Sequence, residues 1–353
     1  KSSSNQRNVE SMPSLVITRD TVSVRLRSER LELIRHSEAG ADSLDRLDVP
    51  LHDVERVVIC GRPNITLPVF HRLMSLHIPV TFLTSRGRWL GAIDSGNQAN
   101  AARRIRQYRL FDEEAIRNAA AIRLIYAKIR NSRRVLQRLS AARQESALAK
   151  QQEATAFLRR SCMEIRRTRP SGDVLRGIEG MAAACYFRRL GDFFPSGFPF
   201  VERSRQPPLN AANSILSWSY TIVLGEIETC LRLHGLETGI GFLHTVEYSM
   251  PSLALDLLEP LRAPLCDMLS LHLLNHRILR PEHFRFDSQD GGTYLNDDGK
   301  KQFFAAYEQT MTRKFLLKTG GSHTDFRQII EHQVGTVIRI LEGENDVDFF
   351  HMP

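Results

Sequence analysis

Three short stretches of this 353-residue chain set ionisable side chains among apolar neighbours. Gly177-Ile178-Glu179-Gly180 runs into Met181-Ala182-Ala183-Ala184-Cys185-Tyr186-Phe187, Gly241-Phe242-Leu243 precedes His244, and Ser252-Leu253-Ala254-Leu255 precedes Asp256-Leu257-Leu258-Glu259-Pro260. Desolvating an unpaired carboxylate is costly, so an apolar helix gains nothing from such groups unless a cation or another charge meets them. Two or three carboxylate oxygens with one imidazole nitrogen suit a hard divalent ion, Mg²⁺ or Mn²⁺, whereas structural zinc usually recruits paired cysteines. None of Cys60, Cys162, Cys185, Cys230 and Cys266 forms a CxxC, so a zinc ribbon is not expected. Each residue alone also has a plainer reading. His244 could be a hydrogen-bonded core or surface histidine, Glu179 a carboxylate favoured by the dipole at a helix start, and Asp256 a surface acid answering Arg262.

These groups need elements to hold them. Asp256 and Glu259 are three apart and so share one helical face, with Leu253, Leu257, Leu258 and Leu261 as the neighbouring packing surface. Pro251 and Ser252 are a start signal, and Pro260 and Pro264 are expected to kink or end that helix. Upstream, residues 14–95 carry strand signals at Leu15-Val16-Ile17, Val22 to Leu26, Val54 to Cys60 and Val80 to Leu83. Turns are expected at Gly61-Arg62-Pro63 and Arg86-Gly87-Arg88, and one helix at Leu67 to Leu76. After Asp94-Ser95-Gly96-Asn97 the period changes: Ile116, Ala120, Leu124, Ala127 and Ile129 form a helical stripe. The pattern predicts an α+β protein, with a small N-terminal β-rich domain (14–95), a linker (96–102) and a larger, mainly α-helical domain (103–345).

A chain of this length with 42% hydrophobic residues can build two cores. It has no uninterrupted apolar run of about 18 residues, and Lys1 to Arg7 lacks the apolar segment of a secretory signal. A soluble, cytoplasmic protein with no membrane partner is expected, and five unpaired-looking cysteines fit a reducing compartment. Starting at Lys1 rather than Met, the chain is either trimmed or one domain of a longer polypeptide. The formal charge is +8, with basic residues gathered at Arg103, Arg104, Arg106 and Arg109, from Arg117 through Lys128 to Arg138, and from Arg159 to Arg176. Such clusters are either solvated helix faces or an arginine field beside the cation site, the arrangement a nucleic-acid backbone needs; the second is favoured. No GxxxxGK[ST], HExxH or GxSxG occurs, so nucleotide hydrolysis is not expected.

In this order, the three segments, with Asn210-Ala211-Ala212-Asn213-Ser214-Ile215-Leu216-Ser217-Trp218-Ser219-Tyr220 among them and Tyr294-Leu295-Asn296 and Gly299-Lys300 after them, resemble successive motifs of the CRISPR-associated protein one family. The resemblance covers nearly the whole chain. It implies a spacer-acquisition integrase with associated endonuclease activity, an N-terminal β domain that dimerises, and a helical catalytic domain. It further implies that Glu179, His244 and Glu259 are catalytic and hold Mg²⁺ or Mn²⁺, with Asp256 as an accessory acid; many relatives have Asp in place of Glu259. Tyr220 corresponds to an aromatic residue that contacts DNA near the active site, and Arg176 and Arg262 are expected DNA contacts. The implied partners are a protospacer DNA fragment, the CRISPR repeat, a second copy of the chain and CRISPR-associated protein two. The implied reaction is attack of a DNA 3′ hydroxyl on a phosphodiester in the repeat array. A casposon-type transposase using the same chemistry and a non-catalytic basic scaffold are the alternatives. If the arginine field clamps a DNA backbone, affinity falls with salt by about 0.9 log units per log unit of salt for each phosphate neutralised; a flat salt titration of duplex binding rejects it.

Overall fold

The computed structural model describes residues 14–35, 45–93, 101–139, 145–244, 250–317, 323–344 and 346–353. The chain divides into two compact units, Lys1–Ser95 and Gly96–Pro353. The first contains β1 (Ser14–Ile17), β2 (Val22–Arg27), β3 (Arg30–Arg35), β4 (Asp45–Pro50), β5 (Arg56–Cys60), β6 (Asn64–Ile65), α1 (Leu67–Ser75), β7 (Val80–Leu83) and β8 (Trp89–Ile93). One sheet runs β1-β5-β7-β8, parallel except for the last pair, and the other runs β4-β3-β2-β6. Central β5 is apolar on both faces, as a parallel strand covered on both sides must be. Ile17, Val24, Leu31, Val57, Ile59, Leu73 and Val80 bring both sheets and α1 into one core. At the expected turn Gly61 has φ +94°, and Asp20 Oδ1 occupies the space a Cβ would need while accepting the Arg62 amide at 2.7 Å. The β3 and β4 strands were not expected, although Leu31 and Leu33, and Leu47 and Val49, alternate with charged residues as the inner positions of a half-exposed strand do.

The second unit is built on helices α2 (Ala101–Phe111), α3 (Glu114–Leu139), α4 (Glu145–Thr168), α5 (Gly172–Gly191), α6 (Ala211–Leu233), α7 (Ser252–Leu261), α8 (Met268–Asn275), α9 (Asp297–Thr312) and α10 (Phe326–Leu341). Residues 94–100 lie outside the described residues, and Ala101 and Ala102, expected in the linker, already belong to α2. Helix α3 packs against α4, α5 and α7. Its expected stripe is buried at Ala120, Leu124, Ala127 and Ile129. Among the described residues, no helix is long and apolar enough to cross a membrane.

The expected effect of the prolines takes the form of a change in helix type, α7 ending at Leu261. Pro260 and Pro264 do not end the helical path: α7 passes through a π-helical turn, Arg262–Asp267, directly into α8. Pro264 has no N–H to give the carbonyl of Pro260, which an α-helix would leave unsatisfied. Asn131 of α3 supplies the donor, its Nδ2 reaching Pro260 O at 2.8 Å and Phe350 O at 2.9 Å, while its Oδ1 accepts the Met352 amide at 2.8 Å. A wider turn here carries Glu259, Arg262 and Asp267 on one continuous, fully packed element. Asn131→Leu should therefore destabilise the protein by about 3 kcal/mol, since it strands buried backbone groups, as read from denaturant unfolding; an unchanged midpoint would refute this account of the turn.

Candidate active site: a shared ammonium and an oriented imidazole

Helices α3, α5 and α7 each send one charged group to the same point. The Lys128 ammonium of α3 meets Glu179 Oε1 of α5 in a very short ion pair and Glu259 Oε2 of α7 at 2.6 Å. Arg262 Nε stands 3.1 Å from the same Glu259 oxygen. The Glu259 side chain is only 5% exposed, and burial alone would raise its pKa, but Arg262, Lys128 and His244 outweigh burial and hold it down at about 2. No hydrogen bond of good geometry reaches Glu259 Oε2; its neighbours act on it as charges. The buried Glu259 carboxylate is thus ionised, and it shares the Lys128 ammonium with the half-buried carboxylate of Glu179.

Lys128 is the site residue that charge counting misplaces among the basic clusters. Its neighbours at i−4, i−3, i+3 and i+4 are Leu124, Ile125, Asn131 and Ser132, all buried, so the helical period itself puts it on the inner face. Glu179 lies two turns into α5, not at a helix start, which removes the helix-dipole explanation for it. Asp256 is fully buried, so it is not a surface acid; the carboxylate that Arg262 answers is that of Glu259.

Asp256 organises the Gly241 loop. Its carboxylate accepts the amides of Phe242 (2.5 Å), Leu243 (3.0 Å) and His244 (3.1 Å), and its Oδ1 lies 2.5 Å from His244 Nδ1. An acceptor on the Nδ1 side places the ring proton there and turns Nε2 toward the site, 3.9 Å from Glu259 Oε1. Burial pulls the imidazole pKa down, but the bonded Asp256 carboxylate more than restores it, so His244 stands above its ordinary value. Gly241 allows this approach: a Cβ there would lie 2.7 Å from Asp256 Oδ2 and 2.8 Å from the Ser252 backbone. Phe242 stacks on Phe111 of α2 at 4.3 Å, and Gln107 clamps the backbone of Glu237 through both ends of its amide.

The remaining expected site residues fall into two places. Tyr220 is buried in the wall of the site: its hydroxyl donates to Asp267 Oδ1 at 2.6 Å, beside the Tyr186 hydroxyl on Oδ2 at 2.8 Å. Arg262 lies over the Tyr220 ring at 4.7 Å and Arg203 at 5.4 Å. Burial pushes Asp267 up to about 6 despite these partners. A cavity of about 50 Å³ beside this network is lined by Lys128, Ser132, Glu179, Tyr186, Arg205 and Arg262, among others. Arg176 is exposed, paired with Asp173 at 2.6 Å, and borders a separate cleft of about 480 Å³ with Tyr108, Arg117, Ser171, Phe242 and His244. The arginine field also divides. Arg103, Arg117, Arg134 and Arg138 donate to backbone carbonyls of the unit itself, whereas Arg159, Arg160, Arg166 and Arg167 are exposed.

The family described as CRISPR associated protein Cas1 matches residues 15–309. The chain belongs to the Cas1 family. It is 33% identical over 306 residues to the CRISPR-associated endonuclease Cas1 3 of Thermus thermophilus, covering 87% of each chain. Among solved structures the fold is similar to a casposase bound to integration product, with a TM-score of 0.82 at 19% identity over 96% of this chain and 93% of the other. It is also similar to a chain of a Cas6-RT-Cas1–Cas2 complex, with a TM-score of 0.78 at 22% identity over 97% of this chain, and spans 36% of that longer chain. The α+β architecture predicted above, β-rich first and helical second, is therefore that of the Cas1 family. Asp256→Asn should release the Gly241 loop and lower stability by about 3 kcal/mol, because it breaks a buried, charge-assisted network. Denaturant unfolding, with ¹⁵N shifts reporting the His244 tautomer, checks this; a native-like tautomer in the variant would rule out the orienting role.

Proposed function

We propose that this chain is a metal-dependent DNA integrase of CRISPR adaptation with associated endonuclease activity, whose Glu179, His244 and Glu259 hold Mg²⁺ or Mn²⁺. The observation that carries the reading is the ammonium of Lys128 between the half-buried carboxylate of Glu179 and the buried, ionised carboxylate of Glu259, next to an imidazole whose Nε2 is presented by Asp256. A divalent ion fits this donor set of two hard oxygens and one imidazole nitrogen, of which the two carboxylates already meet at the Lys128 ammonium. With the ammonium interposed the three donors are not drawn within 4.8 Å of one another. The one such group among the described residues is Cys230, His234 and Glu331. Metal entry thus requires Lys128 to withdraw. When bound, the ion stabilises charge on the transferring phosphate and lowers the pKa of the attacking hydroxyl.

The protein's own groups do the rest. Asp256 acts through His244 as a positioning residue, and Arg262, stacked on Tyr220, sets the charge of Glu259. In this reading Tyr220 and Arg262 support the site from behind, while exposed Arg176 and the α4 arginines Arg159, Arg160, Arg166 and Arg167 take the DNA backbone. Gly177 and Gly180 support the same access route: a Cβ on either would meet nothing within 4 Å. Each costs a helix interior about 1 kcal/mol relative to alanine without any packing need, so they leave bare backbone beside Glu179 for a strand to approach. The substrates are a protospacer fragment and the CRISPR repeat. The chemistry is attack of a DNA 3′ hydroxyl on a phosphodiester, with water in its place giving the nuclease reaction. The similarity to a chain of a Cas6-RT-Cas1–Cas2 complex and to a casposase bound to integration product supports a partner of the Cas2 type and strand joining. The casposase likeness also favours a second reading, the same chemistry on transposon ends. The β-rich segment 14–95 serves dimerisation and 103–345 catalysis, joined through 96–102.

Glu179→Gln and His244→Ala should each abolish joining of a labelled fragment in Mg²⁺ or Mn²⁺ while DNA affinity stays within a few fold. Lys128→Met should tighten Mn²⁺ binding by at least about tenfold, because it leaves the buried Glu259 carboxylate and its neighbour Glu179 without their shared internal cation. Full joining by either of the first two variants, or weaker Mn²⁺ binding by the third in calorimetry, would overturn the assignment.

A further inference from the structure

We propose a second metal site, for a borderline-soft divalent ion such as Zn²⁺, formed by Cys230, His234 and Glu331. Cys230 and His234 are four apart at the C-terminal end of α6, so they project from one face, and Glu331 of α10 meets them there. The Cys230 Sγ, a ring nitrogen of His234 and a carboxylate oxygen of Glu331 all lie within 4.8 Å of one another.

The imidazole is oriented as a ligand. His234 Nδ1 lies 3.2 Å from the Cys230 carbonyl, which can only accept, so Nδ1 carries the ring proton. Nε2 then faces Glu331 Oε2 at 3.3 Å. In the neutral ring this sets a lone pair against a carboxylate, a repulsive arrangement that an ion between them converts into shared coordination. A backbone carbonyl on the far ring nitrogen is the usual support of a metal-bound histidine. The spacing agrees: bonds of about 2.0–2.1 Å in a tetrahedron give a nitrogen–oxygen edge of about 3.3–3.4 Å.

The donor chemistry separates this site from the one around Lys128. Thiolate, imidazole and carboxylate suit zinc, whereas the oxygen-rich set of Glu179 and Glu259 suits magnesium or manganese. On binding, the Cys230 thiol loses its proton to solvent, since the thiolate is the ligand, and His234 keeps its Nδ1 proton. The side chains of His234 and Glu331 are 34% and 55% exposed, so water can complete the coordination. The ion would cross-link the end of α6 to α10, bracing the backbone that leads into the Gly241 loop. No residue of the strand-joining site takes part, so the two proposals stand or fall separately.

The test titrates the full chain, free of DNA, with Co²⁺ and then Zn²⁺. One equivalent of Co²⁺ should produce thiolate-to-metal charge-transfer absorption that Zn²⁺ abolishes. Cys230→Ser, nearly isosteric, should remove the band, and His234→Gln and Glu331→Gln should each weaken Co²⁺ binding by roughly tenfold or more. Glu259→Gln, in the other proposed metal site, should leave the charge-transfer band unchanged, and thermal melts of each variant confirm folding. Absence of the band in the unaltered protein overturns the site, leaving an imidazolium–carboxylate pair beside a buried thiol. A band that survives Cys230→Ser, or that is indifferent to His234→Gln and Glu331→Gln, overturns it too, by assigning the thiolate to another of the five cysteines.

Discussion

Two carboxylates set side by side repel each other, and a buried one has also lost its water, so a cation must share the space. In this chain that constraint is met by the Lys128 ammonium between Glu179 and Glu259. It ties α3, α5 and α7 to one point. It also explains why Glu259 is fully ionised although almost no solvent reaches it. In the metal-dependent reading proposed above, an external cation would compete with the Lys128 ammonium for the same oxygens.

The supporting structure keeps those groups from relaxing. The proline-bearing helical path through α7 and the π-helical turn is held at its weakest carbonyl by Asn131 of α3, the same face that carries Lys128. Asp256 gathers three amides and one imidazole, so the loop carrying His244 has little freedom to turn its ring. Behind Glu259, the Arg262–Tyr220–Asp267 network fixes the guanidinium whose charge reaches the carboxylate. Each device satisfies a buried polar group and fixes a side chain of the candidate site at the same time.

Cys230, His234 and Glu331 illustrate the reverse relation of sequence to site. A search for cysteine pairs passes over Cys230, because its partners are a histidine one helical turn away and a glutamate about a hundred residues later. Neither spacing is informative until α6 and α10 are packed together.

The change from a strand period to a helical period, the α+β order of the chain and its acidic and imidazole groups are all legible in the residues alone. Period and residue type are local properties, visible in a few consecutive residues. Glu179, His244, Asp256 and Glu259 were legible as candidates for the same reason: a charge among leucines, alanines and glycines is costly wherever the chain folds. Only the tertiary structure decided that Lys128 joins them, that Asp256 acts through the Gly241 loop, that Tyr220 and Arg262 lie in the wall of the site, and that Pro264 widens a helix rather than ending it. Those outcomes depend on which buried partner each group finds across elements far apart in the chain, and no local pattern encodes that meeting.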